Sequence, residues 1–134
     1  MARGISLFVN RLYFGDNFGS PRNRGELLGS AFAFLFAIDW PEPFGLVMIK
    51  ALACGAPVIG FPYGSVPQNI VEGGTGFIVE DIDRAVEVVG KIERISRTRC
   101  RREFEQRFTD RHMAEDYIRI YQKLLRRSST QAAA

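Results

Sequence analysis

"AFAFLFAIDWPEPFGLVMIKALACGAPVIGF", residues 31–61, decides the fold. Its first eight residues, 31–38, are apolar at every position, as expected of a strand covered on both faces by helices. Residues 46–54 read as a helix that stops at Gly55, a residue able to take the left-handed conformation that ends helices. After a two-residue link, 57–61 is again a short apolar run and predicts a second buried strand. Strand, helix, strand over some thirty residues is a parallel unit with a right-handed crossover. The fold class is therefore α/β, a Rossmann-like parallel sheet with flanking helices.

The same alternation extends outward. Residues 7–14 alternate loosely and end at Gly15, which predicts a strand. Ser20 followed by Pro21 has the form of an N-cap and first helical position, opening a short helix through Leu28. Beyond the central unit, 66–71 predicts a helical turn or two, 73–76 a turn and 77–79 a third short strand. Residues 82–95 are expected to be one helix with Ile82, Ala85, Val86, Val89 and Ile92 at the 3.6-residue period. Two helices close the chain. The last, roughly 111–127, carries Met113, Tyr117, Tyr121 and Leu124 as one apolar stripe. Residues 1–127 are expected to form one domain and 128–134 a disordered tail.

Composition narrows the function classes. The 134 residues are 46% hydrophobic, enough for one core that buries roughly two thirds of the unfolded surface. The longest apolar run has eight residues, whereas a membrane helix needs about 20. With nothing resembling a secretory signal in residues 1–10, the expectation is a cytoplasmic protein with no membrane association. Cys54 and Cys100 lie far apart without a CxxC spacing, so free thiols are expected. His112 is the one histidine, which leaves no basis for a zinc site or histidine triad, and no metal is expected. Residues 80–134 hold thirteen basic and ten acidic side chains and carry the whole net charge of +3. Arg94, Arg97, Arg99, Arg101 and Arg102 have no acid between them. No aromatic residue interleaves them and no recognition motif accompanies them, so a solvated helix face is expected rather than a nucleic-acid site.

The candidate site is the loop between residues 38 and 46. Ligands of parallel sheets bind beyond the carboxyl ends of the strands, where this loop lies. If a helix begins near Gly45, the amides of Gly45, Leu46 and Val47 lack intrahelical partners and stand at the positive end of the helix dipole, which suits phosphate. Gly45 has no side chain to block the approach, and Pro41 and Pro43 restrict the loop around Glu42. The Glu42 carboxylate is suited to accept hydrogen bonds from hydroxyl groups. The same pattern of proline, glycine and helix also serves as a plain turn.

Three longer stretches, "IDWPEPFGLVMIKALACGAPVIGF", "GSVPQNIVEGGTGFIVED" and "RTRCRREFEQRFTDRHMAEDYIRIY", resemble the C-terminal domain of the family 4 retaining glycosyltransferases of GT-B fold. The likeness runs from about Val9 to Leu125. It implies a partial GT-B C-terminal domain that binds a nucleotide-sugar co-substrate, with no further cofactor. Carried over by position, Glu42 matches the sugar-side acid, Phe44, Gly45, Leu46 and Val47 match the amide-bearing stretch, and Gly64 and Ser65 match a loop beside the nucleotide. Lys50 stands where the resemblance implies a ribose-binding glutamate, and Gln68 where it implies another glutamate. An ammonium has no acceptor for a ribose diol, so Lys50 is expected to touch a phosphate or to pair with Glu42.

The resemblance further implies an N-terminal acceptor domain and an opening part of the donor domain that have no counterpart here. The expectation is thus a truncated donor-binding half of a retaining glycosyltransferase, inactive as this chain alone. The alternative is a non-catalytic remnant serving as a dimerisation or interaction module. Truncation would leave strand 31–38 with an open edge. That edge is expected to recruit residues 7–14, a second copy in a homodimer, or a separate N-terminal domain.

Overall fold

The computed structural model describes residues 7–9 and 21–132. Strand β1 is Leu7–Val9, β2 Ala33–Phe36, β3 Val58–Gly60 and β4 Gly76–Ile78; helix α1 is Pro21–Ser30, α2 Leu46–Ala53, α3 Val66–Asn69, α4 Ile82–Val89, α5 Arg97–Arg107 and α6 Asp110–Ala132. The four strands form one parallel sheet in the order β1-β2-β3-β4. The expected strand over 7–14 is described over its first part only, and residues 10–14 and Ser20 lie outside the described residues. The edge of β2 is taken by the chain's own β1, with Leu7 opposite Ala33 and Val9 opposite Leu35. It is not left open for a second copy or a separate partner.

Strand alternation sorts the core into two layers. Phe34, Phe36 and Val58 face Met48, Ala51 and Leu52 of α2, with Cys100 of α5 behind them. Ala33 and Ile59 point the other way, against Ala85 and Val88 of α4. Helix α2 ends as its sequence predicts. The amide of Gly55 donates to Leu52 O and that of Ala56 to Ala51 O, the two bonds of a Schellman stop, with Gly55 at φ 72°.

Arg94, Arg97, Arg99, Arg101 and Arg102 are all exposed, as expected of a solvated face, and two of them also hold helix ends. Arg97 donates through Nη1 to Ala31 O and through Nη2 to Gly29 O, both at 2.7 Å. Arg101 Nη1 donates to Ala53 O at 2.6 Å. These guanidinium groups satisfy carbonyls at the C-terminal ends of α1 and α2, where helix dipoles favour positive charge. Glu72 does comparable work on the outer strand. Its Oε2 accepts from the amide of Ile78 at 2.7 Å, covering a donor that an edge strand would otherwise present.

The helix expected over 82–95 is two elements. Asp81 caps α4 by accepting from the amide of Arg84 at 2.7 Å, α4 ends at Gly90, and Ile92–Arg94 forms a separate 3-10 turn. The buried line is Ala85, Val88 and Ile92, while Ile82 and Val86 are 72% and 68% exposed. Both lines satisfy helical spacing, and contact with Ile59 and Val79 selects one of them. The last helix runs on past Arg127 to Ala132.

Both cysteines are free thiols. Burial pushes the Cys100 thiol up from 9.0 to about 11, partly offset by the Arg97 charge. A pKa raised in the folded state adds stability that is complete below the unfolded value and is lost as pH rises towards the folded one. The chain should therefore lose about 2–3 kcal/mol between pH 9 and 11 from this group. Urea denaturation across that range should show the loss in the parent chain and not in Cys100→Ala.

Candidate functional site

Two loops meet beyond the carboxyl ends of β2 and β3. The first, residues 37–45, leads into α2, and the second, 61–65, leads into α3. They interlock through the backbone, with the amide of Ser65 donating to Glu42 O at 2.8 Å. Asn69 fixes the first loop from below, its Nδ2 donating to Phe44 O at 2.7 Å. Gly45 sits at the N-cap of α2 at φ 73°, ψ 44°. A Cβ there would overlap Met48 Cε and lie 2.9 Å from Ser65 Oγ. The left-handed turn and the tight floor together require glycine.

Of the three amides expected to stand free, that of Gly45 is taken by the Glu42 carboxylate, Oε1 accepting at 3.2 Å. The first intrahelical bond of α2 runs from the amide of Ile49 to Gly45 O. The amides of Leu46 and Val47 thus have no intrahelical acceptor, as at any helix start. Beneath them the hydroxyl of Ser65 is buried without a hydrogen-bond partner among the described residues. Such a group is rare in a folded core, and it is enclosed beneath Gly45.

Around these donors the surface is apolar. Trp40 and Phe44 are more than half exposed, Leu46 is half exposed, and Val47 and Tyr63 are also exposed. Main-chain donors at a helix start, rimmed by aromatic rings, suit a ligand that carries both an anionic group and a flat ring. Among the described residues, no group of three or more His, Cys, Asp or Glu side chains is placed to hold a metal ion. No helix among them is long and apolar enough to cross a membrane.

Lys50 lies one turn into α2 and is exposed. It forms no ion pair with Glu42, whose carboxylate is turned to the start of its own helix. Gln68 is exposed, and its backbone carbonyl accepts from Arg107 Nη2 at 2.6 Å. Glu42, Phe44, Gly45, Gly64 and Ser65 thus lie in two interlocked loops, with Leu46 and Val47 opening α2 and Lys50 one turn further on. Asn69 is the member that sequence reasoning passed over. Its neighbour Gln68 drew attention by position, while Asn69 carries the contact; a polar residue at a buried position of a short helix was the available signal.

The family model described as glycosyl transferases group 1 matches residues 17–112. The chain is 32% identical over 134 residues to N-acetyl-alpha-D-glucosaminyl L-malate synthase of Bacillus anthracis, covering 91% of this chain and 35% of that protein. It is 28% identical over 153 residues to spore coat protein SA of Bacillus subtilis, covering 89% of this chain and 40% of that one. With D-inositol 3-phosphate glycosyltransferase of Streptomyces avermitilis it shares 40% over 86 residues, 61% of this chain and 18% of the other. The chain spans less than half the length of each. The family match includes both interlocked loops and the helices that support them, and on this ground the chain belongs to the group 1 glycosyl transferases.

Proposed function

We propose that this chain forms the nucleotide-sugar donor-binding half of a retaining glycosyltransferase, and that Lys50 weakens its hold on the nucleotide. The observation that carries the reading is the start of α2, where the amides of Leu46 and Val47, without intrahelical acceptors, stand beside two loops locked to each other. A diphosphate would lie on the amides of Leu46 and Val47, and the sugar beside Glu42. The Glu42 carboxylate can keep the amide of Gly45 on Oε1 and accept from a sugar hydroxyl on Oε2. Two of the relatives, one a synthase and one a glycosyltransferase by name, agree with transfer chemistry.

The weakening follows from valence. A ribose diol donates two hydrogen bonds, and an ammonium at position 50 accepts neither. Charged hydrogen bonds contribute about 1.5–3 kcal/mol each, so the loss of both lowers affinity by roughly a hundred- to ten-thousand-fold. Calorimetry with uridine diphosphate and guanosine diphosphate tests this. The parent chain should bind weakly and Lys50→Glu should bind tighter by that factor. Tight binding by the parent, weakened in Lys50→Glu, would show that the ammonium serves the ligand and would overturn the reading. A second reading, a non-catalytic interaction module, is favoured by the exposed cation at position 50; absent binding by both chains would select it.

A further inference from the structure

We propose that Asn69 is a positioning residue: acting through the Phe44–Gly45 peptide, it sets the direction in which the Glu42 carboxylate offers Oε2 to a ligand. The inference rests on the reading of Glu42 as the acid beside the donor sugar.

The series of contacts starts in the core. Asn69 closes α3 and is 6% exposed, and Val66 and Ile70 on either side of it are buried in the main cluster. Its Nδ2 donates to Phe44 O at 2.7 Å. A peptide is planar and trans, so the carbonyl of Phe44 and the N–H of Gly45 point in opposite directions. With the carbonyl drawn to Asn69, the N–H is turned away from it, and there Glu42 Oε1 accepts at 3.2 Å. Among the described residues this amide is the one hydrogen-bond partner of the Glu42 carboxylate. The carboxylate therefore takes its direction from the peptide.

Gly45 is the reason the peptide has to be held. Turning a peptide over changes only ψ of the residue before it and φ of the residue after it. Gly45 stands at φ 73°, and glycine populates the opposite sign as readily, so local sterics do not choose between the two orientations. The hydrogen bonds choose. Turned over, the peptide would leave the buried Asn69 amide without its acceptor and would aim a carbonyl oxygen at the Glu42 carboxylate, acceptor against acceptor. Asn69 can approach this closely because position 45 has no side chain; a Cβ there would lie 3.0 Å from Nδ2. The two bonds lie in series through one peptide, an arrangement in which each polarises the other. In the proposed site the diphosphate lies on the amides of Leu46 and Val47, which this series does not include. Loss of Asn69 should accordingly reach the sugar and spare the diphosphate.

Hydrogen exchange of the Gly45 amide, followed by NMR in the full chain without ligand, tests the series. Exchange should be about tenfold faster in Asn69→Leu and in Glu42→Ala than in the parent, and no faster in the double variant than in either, because both changes break the same bond. Asn69→Ala gives the same reading if Asn69→Leu does not fold. Calorimetry reads the consequence: added to Lys50→Glu, Asn69→Leu should lower the affinity for uridine diphosphate glucose about tenfold and that for uridine diphosphate by no more than about twofold. Unchanged Gly45 exchange in the Asn69 variants, or effects of the two changes that multiply, would overturn the proposal. An equal effect on both ligands would do the same and reduce Asn69 to an anchor of the loop. Absence of nucleotide binding by Lys50→Glu would overturn the donor-site reading alone, and the exchange rates, measured without ligand, would still decide whether Asn69 governs the peptide.

Discussion

Alanine at position 76 should lower the folding free energy by about 3–5 kcal/mol, a large share of the 5–15 kcal/mol typical of a domain. Gly76 opens β4 and lies opposite Val58 of β3. A Cβ there would overlap the Val58 carbonyl oxygen and lie 2.8 Å from its carbon and 3.0 Å from its nitrogen. All three are backbone atoms of a central strand, so no rotamer change relieves the contact and the β3-β4 ladder must separate. That loses the bonds from Val58 N to Thr75 O at 3.0 Å and from Val79 N to Gly60 O at 2.9 Å, and uncovers apolar surface on both faces. Gly90 is the control. It has helical φ and ψ, and a Cβ there meets nothing closer than Glu87 O at 3.8 Å, so Gly90→Ala should be neutral or stabilise by up to about 1 kcal/mol. Urea midpoints of the two variants decide the matter; a Gly76→Ala midpoint equal to that of the parent would mean that β4 does not pair as described.

Gly64→Ala should destabilise by about 2–4 kcal/mol and disorganise the candidate site at the same time. Gly64 is at φ 56°, a region that L side chains enter with strain. An added Cβ would overlap the Glu42 carbonyl oxygen and lie 2.7 Å from the Pro41 carbonyl carbon. The first loop would have to retreat, breaking the bond from the amide of Ser65 to Glu42 O and releasing the anchor of the α2 start. In Gly64→Ala made together with Lys50→Glu, the gain in nucleoside diphosphate affinity expected from the second change should vanish. Thermal denaturation reads the first effect and calorimetry the second. A stability within about 0.5 kcal/mol of the parent, the scatter of ordinary surface changes, would show that the two loops are not locked.

Much of the site could be read in the sequence because its chemistry is local. Pro41, Pro43 and Gly45 shape one loop, and α2 follows within a single turn, so amides, loop acid and glycine are neighbours along the chain. What the sequence does not carry is how that loop is held. Asn69, which anchors Phe44, lies 25 positions away, and the lock between Glu42 and Ser65 spans two separate strand ends. The orientation of Glu42 was equally hidden: a carboxylate three residues before a helix can serve a ligand or its own helix start, and both are chemically sound.

By itself the sequence determined the parallel α/β class, because unbroken apolar runs of strand length can be stable only between layers of helix. It determined the end of α2 as well, since Gly55 and the spacing around it admit one stop. Tertiary structure decided what depends on distant partners: which of two equally periodic lines on α4 is buried, that β1 closes the edge of β2, and that Arg97 and Arg101, exposed as they are, reach carbonyls at the ends of α1 and α2. The physical reason is range. Periodicity and turn chemistry act over a few residues and are written in order along the chain, whereas the choice between two faces, or between water and a carbonyl as the partner of a guanidinium, is made by whatever the fold brings alongside.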